Sequence, residues 1–281
     1  MENNEQYYLG ALDPKVDLRD YSYEPEVAMA ANELPEEFEL WTPDVKNQGA
    51  VGSCVAHTAA EIEEYFNHIE GKDNRKLSVG YIYGCRYDYK DEGMYLRDAL
   101  KTLANRGICI YDEFPYNKEV PTIIELFNKQ DEKGWETDSA HKISTYFRIK
   151  ANNDEILQKK VKMCLLNNGP VMMSVPWYKD FKVENGIITS PSNMNTTQGG
   201  HCIYLYGWDK NGWKIQNSWG SFWGNGGRAI YPYNYPINEF WGITDTNLDD
   251  IKKKDYNKIL TSIIKILNFI INLCKQLTSN K

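Results

Sequence analysis

The chain has 281 residues, 42% of them hydrophobic and 13% aromatic, enough to bury one large core or two packed lobes. A formal net charge of −7 with scattered Lys and Arg leaves no concentrated basic surface, so no nucleic-acid partner is expected. Six cysteines, Cys54, Cys85, Cys109, Cys164, Cys202 and Cys274, form no CxxC pair and no ligand spacing, so neither a metal nor another cofactor is expected.

Residues 1–10 carry acids where a signal peptide would carry basic residues and an apolar block. The expectation is an intracellular chain with reduced cysteines. Residues 1–33 are polar, with Asp-Pro and Glu-Pro turns and no apolar periodicity, and read as an extended arm. Two fates fit such an arm: a surface-docked tail, or an inhibitory segment lying across a groove. Glycine-rich residues 48–53 then open onto a run in which Ile62, Tyr65, Phe66 and Ile69 share a face, which predicts a buried helix over 54–69. Further helices are predicted over 77–89 and 96–105, the latter stopped at Gly107.

From Val171 the pattern changes. Short apolar runs at 171–175, 186–189, 201–206, 213–216 and 228–231, separated by Gly, Asn and Asp, predict an antiparallel sheet. A helical lobe followed by a β lobe gives an α+β, two-lobed fold with a cleft between the lobes. The catalytic body is expected over 34–248. Residues 249–281 read as an amphipathic helix too short and too polar to span a membrane. Its apolar stripe could pack on the body, drive self-association, or lie on a membrane surface beside Lys252, Lys253 and Lys254. Peripheral membrane or virion association would follow from the last.

The chemistry concentrates at Cys54. A thiol in the first turn of a helix meets unpaired N–H groups and the positive end of the helix dipole, which should lower its pKa. A base, a group to orient it and an oxyanion donor must come from elsewhere. Of the four histidines, His57 lies one turn along the same helix and reads as structural, whereas His68 and His141 lie in polar stretches and read as solvated. His201 opens an apolar strand directly after Gly199 and Gly200, and Asn217 ends the next strand within an aromatic, glycine-rich loop. An Asn oxygen can accept an imidazole N–H, and a neighbouring Trp can shield that bond.

With Gln48-Gly49-x-x-Gly52-Ser53-Cys54, Gly199-Gly200-His201 and Asn217-Ser218-Trp219-Gly220-x-x-Trp223-Gly224 in this order, the chain resembles a papain-type cysteine peptidase over about residues 34–245. The resemblance implies a helical N-terminal lobe and an antiparallel, β-barrel-like C-terminal lobe, with a Cys54 nucleophile, His201 as acid and base, Asn217 as orienter, Gln48 in the oxyanion hole and Trp219 as cover. It also implies that Gly93 pairs with substrate backbone, with Met94, Val175 and Gly200 as walls of a specificity pocket and polypeptide as the substrate. Val51 and Val55 stand where many secreted relatives carry Cys and Trp, so the chain is most similar to the bacterial and viral members lacking the secreted disulfide framework and the long helical propeptide. Endopeptidase action, with the arm as a short propeptide, leads two alternatives: a silent peptide-binding module, and a ligase or transamidase that passes the acyl group to an amine.

Overall fold

The computed structural model describes residues 8–15, 17–18, 20–25, 34–71, 74–86, 93–116, 141–193 and 195–244. The tail at 249–281 lies outside the described residues, and so do the readings of packing, self-association and membrane contact attached to it.

Helix α1, Cys54–Ile69, is the central element, and every residue from Cys54 to Asn67 is buried. Around it pack α2, Val79–Gly84, and α3, Leu96–Asn105. Helix α2 is shorter at its start than the sequence predicts. Leu77 pairs with Ile110 in a β-bridge, and the Ser78 hydroxyl accepts the Tyr81 N–H, which sets the helix start. A fourth helix, α4 over Asp154–Asn167, was not anticipated, although Asn153 caps it through Ile156 N–H and Asp154 and Glu155 fill its first turn.

The strands are β1 Phe38–Glu39, β2 Thr145–Ile149, β3 Val171–Tyr178, β4 Val183–Glu184, β5 Ile187–Ile188, β6 Thr197–Trp208, β7 Gly212–Gln216, β8 Arg228–Pro232 and β9 Glu239–Thr244. They form one sheet in the order β2-β9-β3-β6-β7-β8-β5-β4, with β1 beside β6. All pairs are antiparallel except β5 with β8. The expected barrel is corrected to an open sheet. Its end strands β2 and β4 do not pair, and β4 and β5, at two residues each, are too short to carry the ladder round.

Strand β6 divides the core by parity. Cys202 and Tyr204 join the cluster around α1, whereas Ile203 and Leu205 join a second cluster with Trp177, Trp208, Trp213 and α4. The helical and β lobes therefore meet across the two faces of one strand, and α1 brings its N-terminus to the face it shares with β6.

Buried acids tie the lobes together. Glu64 accepts both oxygens' worth of bonding from Lys46 Nζ at 2.7 Å and also takes the Leu77 N–H at 2.8 Å. Glu61 on α1 accepts the Gln216 amide of β7 at 3.1 Å, and Gln216 in turn accepts from Arg228 at 3.0 Å. Burial pushes the Glu61 carboxyl up to about 8, against the lowering effects of Lys46, the Gln216 bond and Arg228. Because the unfolded carboxyl ionises near 4.5, the native state holds the extra proton between about pH 4.5 and 8, and stability falls as pH rises through that window. Glu61→Gln, which keeps the shape without the charge, should raise the melting temperature by about 5 °C at pH 8 to 9 and leave it nearly unchanged at pH 4.5; thermal denaturation at the two pH values checks this.

Candidate active site

Cys54 is the first residue of α1 and is fully buried. Ser53 precedes it without a side-chain cap, and no acid occupies the first turn, so nothing there competes with a sulfur anion. The thiol faces the backbone N–H of Cys202, one residue beyond His201, together with those of Val55 and Gly10.

His201 is also fully buried, and its Nε2 lies 2.8 Å from Asn217 Oδ1. The same oxygen accepts the Ser218 backbone N–H at 2.8 Å. A backbone N–H can meet only an acceptor, which fixes the amide orientation and makes His201 Nε2 the donor. The neutral ring then carries its lone pair on Nδ1, which has no hydrogen-bond partner among the described residues. A bare, buried lone pair is what a proton acceptor needs. Trp219 stacks on the imidazole at 4.5 Å between centroids and 21° between planes, and Trp177 meets it edge-on at 5.1 Å. These rings keep water from the His201–Asn217 bond.

Gln48 is fixed on three sides. Its N–H donates to Ser218 O at 2.8 Å, its Oε1 accepts from Ser218 Oγ at 2.6 Å, and its Nε2 donates to Val51 O at 2.8 Å. The remaining reach of Nε2 goes to the Tyr8 carbonyl at 2.9 Å.

That carbonyl belongs to the N-terminal arm, which runs through the cleft. Ala11 N–H donates to Gly200 O at 3.0 Å, Leu12 N–H to Met94 O at 3.1 Å, and Met94 N–H to Gly10 O at 2.8 Å. The arm passes so close that a Cβ on Gly10 would stand 1.8 Å from Gly52 O, and one on Gly200 would stand 2.2 Å from Ala11 O. Beyond the cleft Arg97 holds the Lys15 carbonyl at 3.1 Å and pairs with Asp17 and Asp20. Residues Tyr21 to Glu24 then lie along β2: Arg148 N–H donates to Tyr21 O at 2.8 Å, Tyr23 N–H to Arg148 O at 3.0 Å, and Tyr23 stacks on Phe147.

The structure thus brings Cys54, His201, Asn217, Gln48, Trp219 and Gly200 together. Met94, not Gly93, makes the backbone pair with the arm, while Gly93 N–H goes to the Tyr83 hydroxyl at 3.2 Å. Val175 pairs in register with His201 and is fully buried in the β-lobe core. His57 is buried, with Nδ1 3.0 Å from Ser53 O. His141 is not solvated but buried against Asn67 at 3.2 Å, because the loop that carries it folds onto α1. Trp177 and Ser218 were missed. Trp177 shares the odd parity of Val171, Met173 and Val175 on β3, and Ser218 adjoins Asn217, so both signals were in the sequence.

The thiol departs from its expected behaviour. Burial pushes it up to about 11 in spite of the surrounding N–H groups, and burial likewise holds His201 down at about 4 despite the Asn217 bond. The helix-start argument is local, whereas the desolvation is set by everything packed around the sulfur, outweighing even the Gly10 N–H that the arm brings to it.

A profile described as papain family cysteine protease matches residues 34–236. An uncharacterized peptidase C1-like protein of Acanthamoeba polyphaga mimivirus is 25% identical over 239 residues, 75% of this chain and 74% of that protein. A viral cathepsin of Adoxophyes honmai nucleopolyhedrovirus is 28% identical over 70% of this chain, which spans only 56% of its length. Among solved structures, xylellain, a cysteine protease from Xylella fastidiosa, superposes with a TM-score of 0.72 at 25% identity, covering 85% of this chain and 96% of that one.

With both groups buried, Cys54 and His201 are neutral at pH 7 while the arm is seated. Alkylation of Cys54 in the full-length chain, followed by peptide mapping against pH, should therefore rise with a midpoint near 11. A midpoint below 8 would contradict the burial argument.

Proposed function

The chain belongs to the papain family of cysteine proteases, and we propose that it hydrolyses peptide bonds with Cys54 as nucleophile, His201 as acid and base, and Asn217 as the group that orients His201. The observation that carries this reading is the 2.8 Å bond from His201 Nε2 to an oxygen whose identity is fixed by Ser218 N–H, leaving Nδ1 bare.

In this mechanism Nδ1 takes the thiol proton as sulfur attacks a peptide carbonyl. The carbonyl oxygen becomes an oxyanion, met by Gln48 Nε2 and the Cys54 backbone N–H. Collapse of the intermediate breaks the C–N bond, and His201 returns the proton to the leaving amine. Water, deprotonated by the same nitrogen, then hydrolyses the thioester. Gln48→Ala should lower kcat by about 10² to 10³, the usual loss for one oxyanion donor.

The chain as folded is a closed form of this enzyme, with residues 8–15 as its inhibitor. Tyr8 O takes the oxyanion donor, and Gly10 turns its backbone N–H toward the sulfur. Four hydrogen bonds at about 1 kcal/mol net each would hold a tethered segment in place by a factor on the order of 10² to 10³. The passage depends on Gly10, since any side chain there meets Gly52 backbone. Gly10→Ala in the full-length chain should raise hydrolysis of a fluorogenic peptide at least about tenfold, and adding Cys54→Ala should abolish it. Equal rates with and without Gly10→Ala would refute inhibition by the arm.

Residues 21–24 play a different part. They cover the free edge of β2, Tyr23 is half-buried on Phe147, and Glu24 pairs with Lys160 at 2.9 Å. They serve the catalytic body, whose boundary accordingly lies before Leu34. Removing residues 1–15 forfeits the cleft contacts and should lower the melting temperature by about 5 to 10 °C, and removing 1–33 should lower it by about 5 °C more; equal melting temperatures for the two truncations would restore the boundary at residue 34.

A further inference from the structure

The loop Gln48–Cys54 carries both the proposed oxyanion donor and the nucleophile, and its ends are buried. An open pocket of about 680 Å³ lies beside it, lined among others by Lys46, Asn47, His57, Tyr111 and Tyr116. Between that pocket and the loop runs a set of side-chain hydrogen bonds.

Those bonds form an ordered chain. Tyr116 Oη lies 2.8 Å from the Gln48 carbonyl and 2.7 Å from Ser53 Oγ. Ser53 Oγ lies 3.2 Å from His57 Nδ1, which is also 3.0 Å from Ser53 O. The Gln48 carbonyl can only accept, so Tyr116 must donate to it. Ser53 must then donate to Tyr116, and its remaining lone pairs face the His57 Nδ1–H. Burial holds His57 neutral, down at about 3, which keeps this direction fixed across the working pH range. The Tyr116 ring meets the His57 ring edge-on at 5.1 Å, so ring and hydroxyl are located together.

We propose that Tyr116 is a positioning residue for the oxyanion hole, acting through the Gln48 carbonyl and Ser53 Oγ to hold the Gln48 amide and the Cys54 N–H at the separation an oxyanion requires. It touches neither substrate nor the reacting atoms. The inference rests on the proteolytic reading above. Its consequence is selective: a loosened hole weakens whatever carries a negative oxygen and leaves the bare thiol unaffected.

The test uses the full-length chain carrying Gly10→Ala, with Tyr116→Phe added, and Tyr111→Phe as control. Tyr111 lines the same cavity, and its hydroxyl reaches only the Tyr116 carbonyl, at 3.4 Å. A peptide aldehyde adds reversibly to Cys54, forming a C–S bond as the carbonyl π pair moves to an oxygen in the hole, whereas iodoacetamide alkylates the same sulfur by displacing iodide and needs no hole. Tyr116→Phe should weaken aldehyde inhibition about tenfold and lower kcat about tenfold, part of the 10² to 10³ lost with an entire donor. KM and the iodoacetamide rate should stay within about twofold, and Tyr111→Phe should match the parent. Should Tyr116→Phe fail to fold, Ser53→Ala cuts the same chain at its next link and should show the same split. Equal losses against aldehyde and iodoacetamide, or no loss against either, overturn the inference while the parent still turns over. A parent that hydrolyses nothing and binds no aldehyde overturns the proteolytic reading, and this inference with it.

Discussion

Side chains alternate along a strand with a period of two, so a one-residue slip in β6 would exchange His201 with Cys202. The imidazole would then point into the α1 core, and Ile203 and Leu205 would trade places with Cys202 and Tyr204. Both hydrophobic clusters resist that slip, because each takes alternate residues of this strand. Eight register pairs with β3, from Val171 opposite Leu205 to Tyr178 opposite Thr197, fix it further. His201 is thus placed by the whole core, and Cys54 by a buried helix packed on the same strand.

The cleft segment of the arm fits this frame because glycines clear its path on both sides. Gly52 and Gly200 admit the backbone of Gly10 and Ala11 at distances no side chain would permit. The same clearance that would let a substrate chain approach sulfur lets the arm approach it. Burial then acts on both reacting groups in the direction that disfavours their charged forms. Occlusion and electrostatics reinforce each other in this form of the chain.

Much of this was legible in the sequence. Helix α1 appears at the residues its apolar spacing indicates, and the three glycine-flanked motifs around Gln48, His201 and Asn217 converge in space. Strands β2 and β9 were not legible, since Glu239 within β9 argues against a buried strand; Arg148 of β2 meets it across the pair, and Trp241 Nε1, two residues on in the same strand, donates to it. The barrel-like lobe implied by the resemblance is an open sheet among the described strands, since pattern indicates strands but not whether the outermost ones meet. The thiol's raised pKa was beyond reach, because it depends on burial by the whole fold and not on the helix start alone. The role of Tyr116 was equally hidden, as its hydroxyl meets Gln48 across sixty-eight positions.

The account stands on Cys54 being a nucleophile that the arm covers. Intact-mass measurement after incubation with a peptidyl vinyl sulfone, on the full-length chain and on the chain lacking residues 1–15, tests both halves at once. We expect slow, partial labelling of the full-length protein and rapid addition of a single inhibitor to the shortened one, mapped to Cys54 and absent in Cys54→Ala. No adduct on either form, or equally rapid labelling of both, would contradict it.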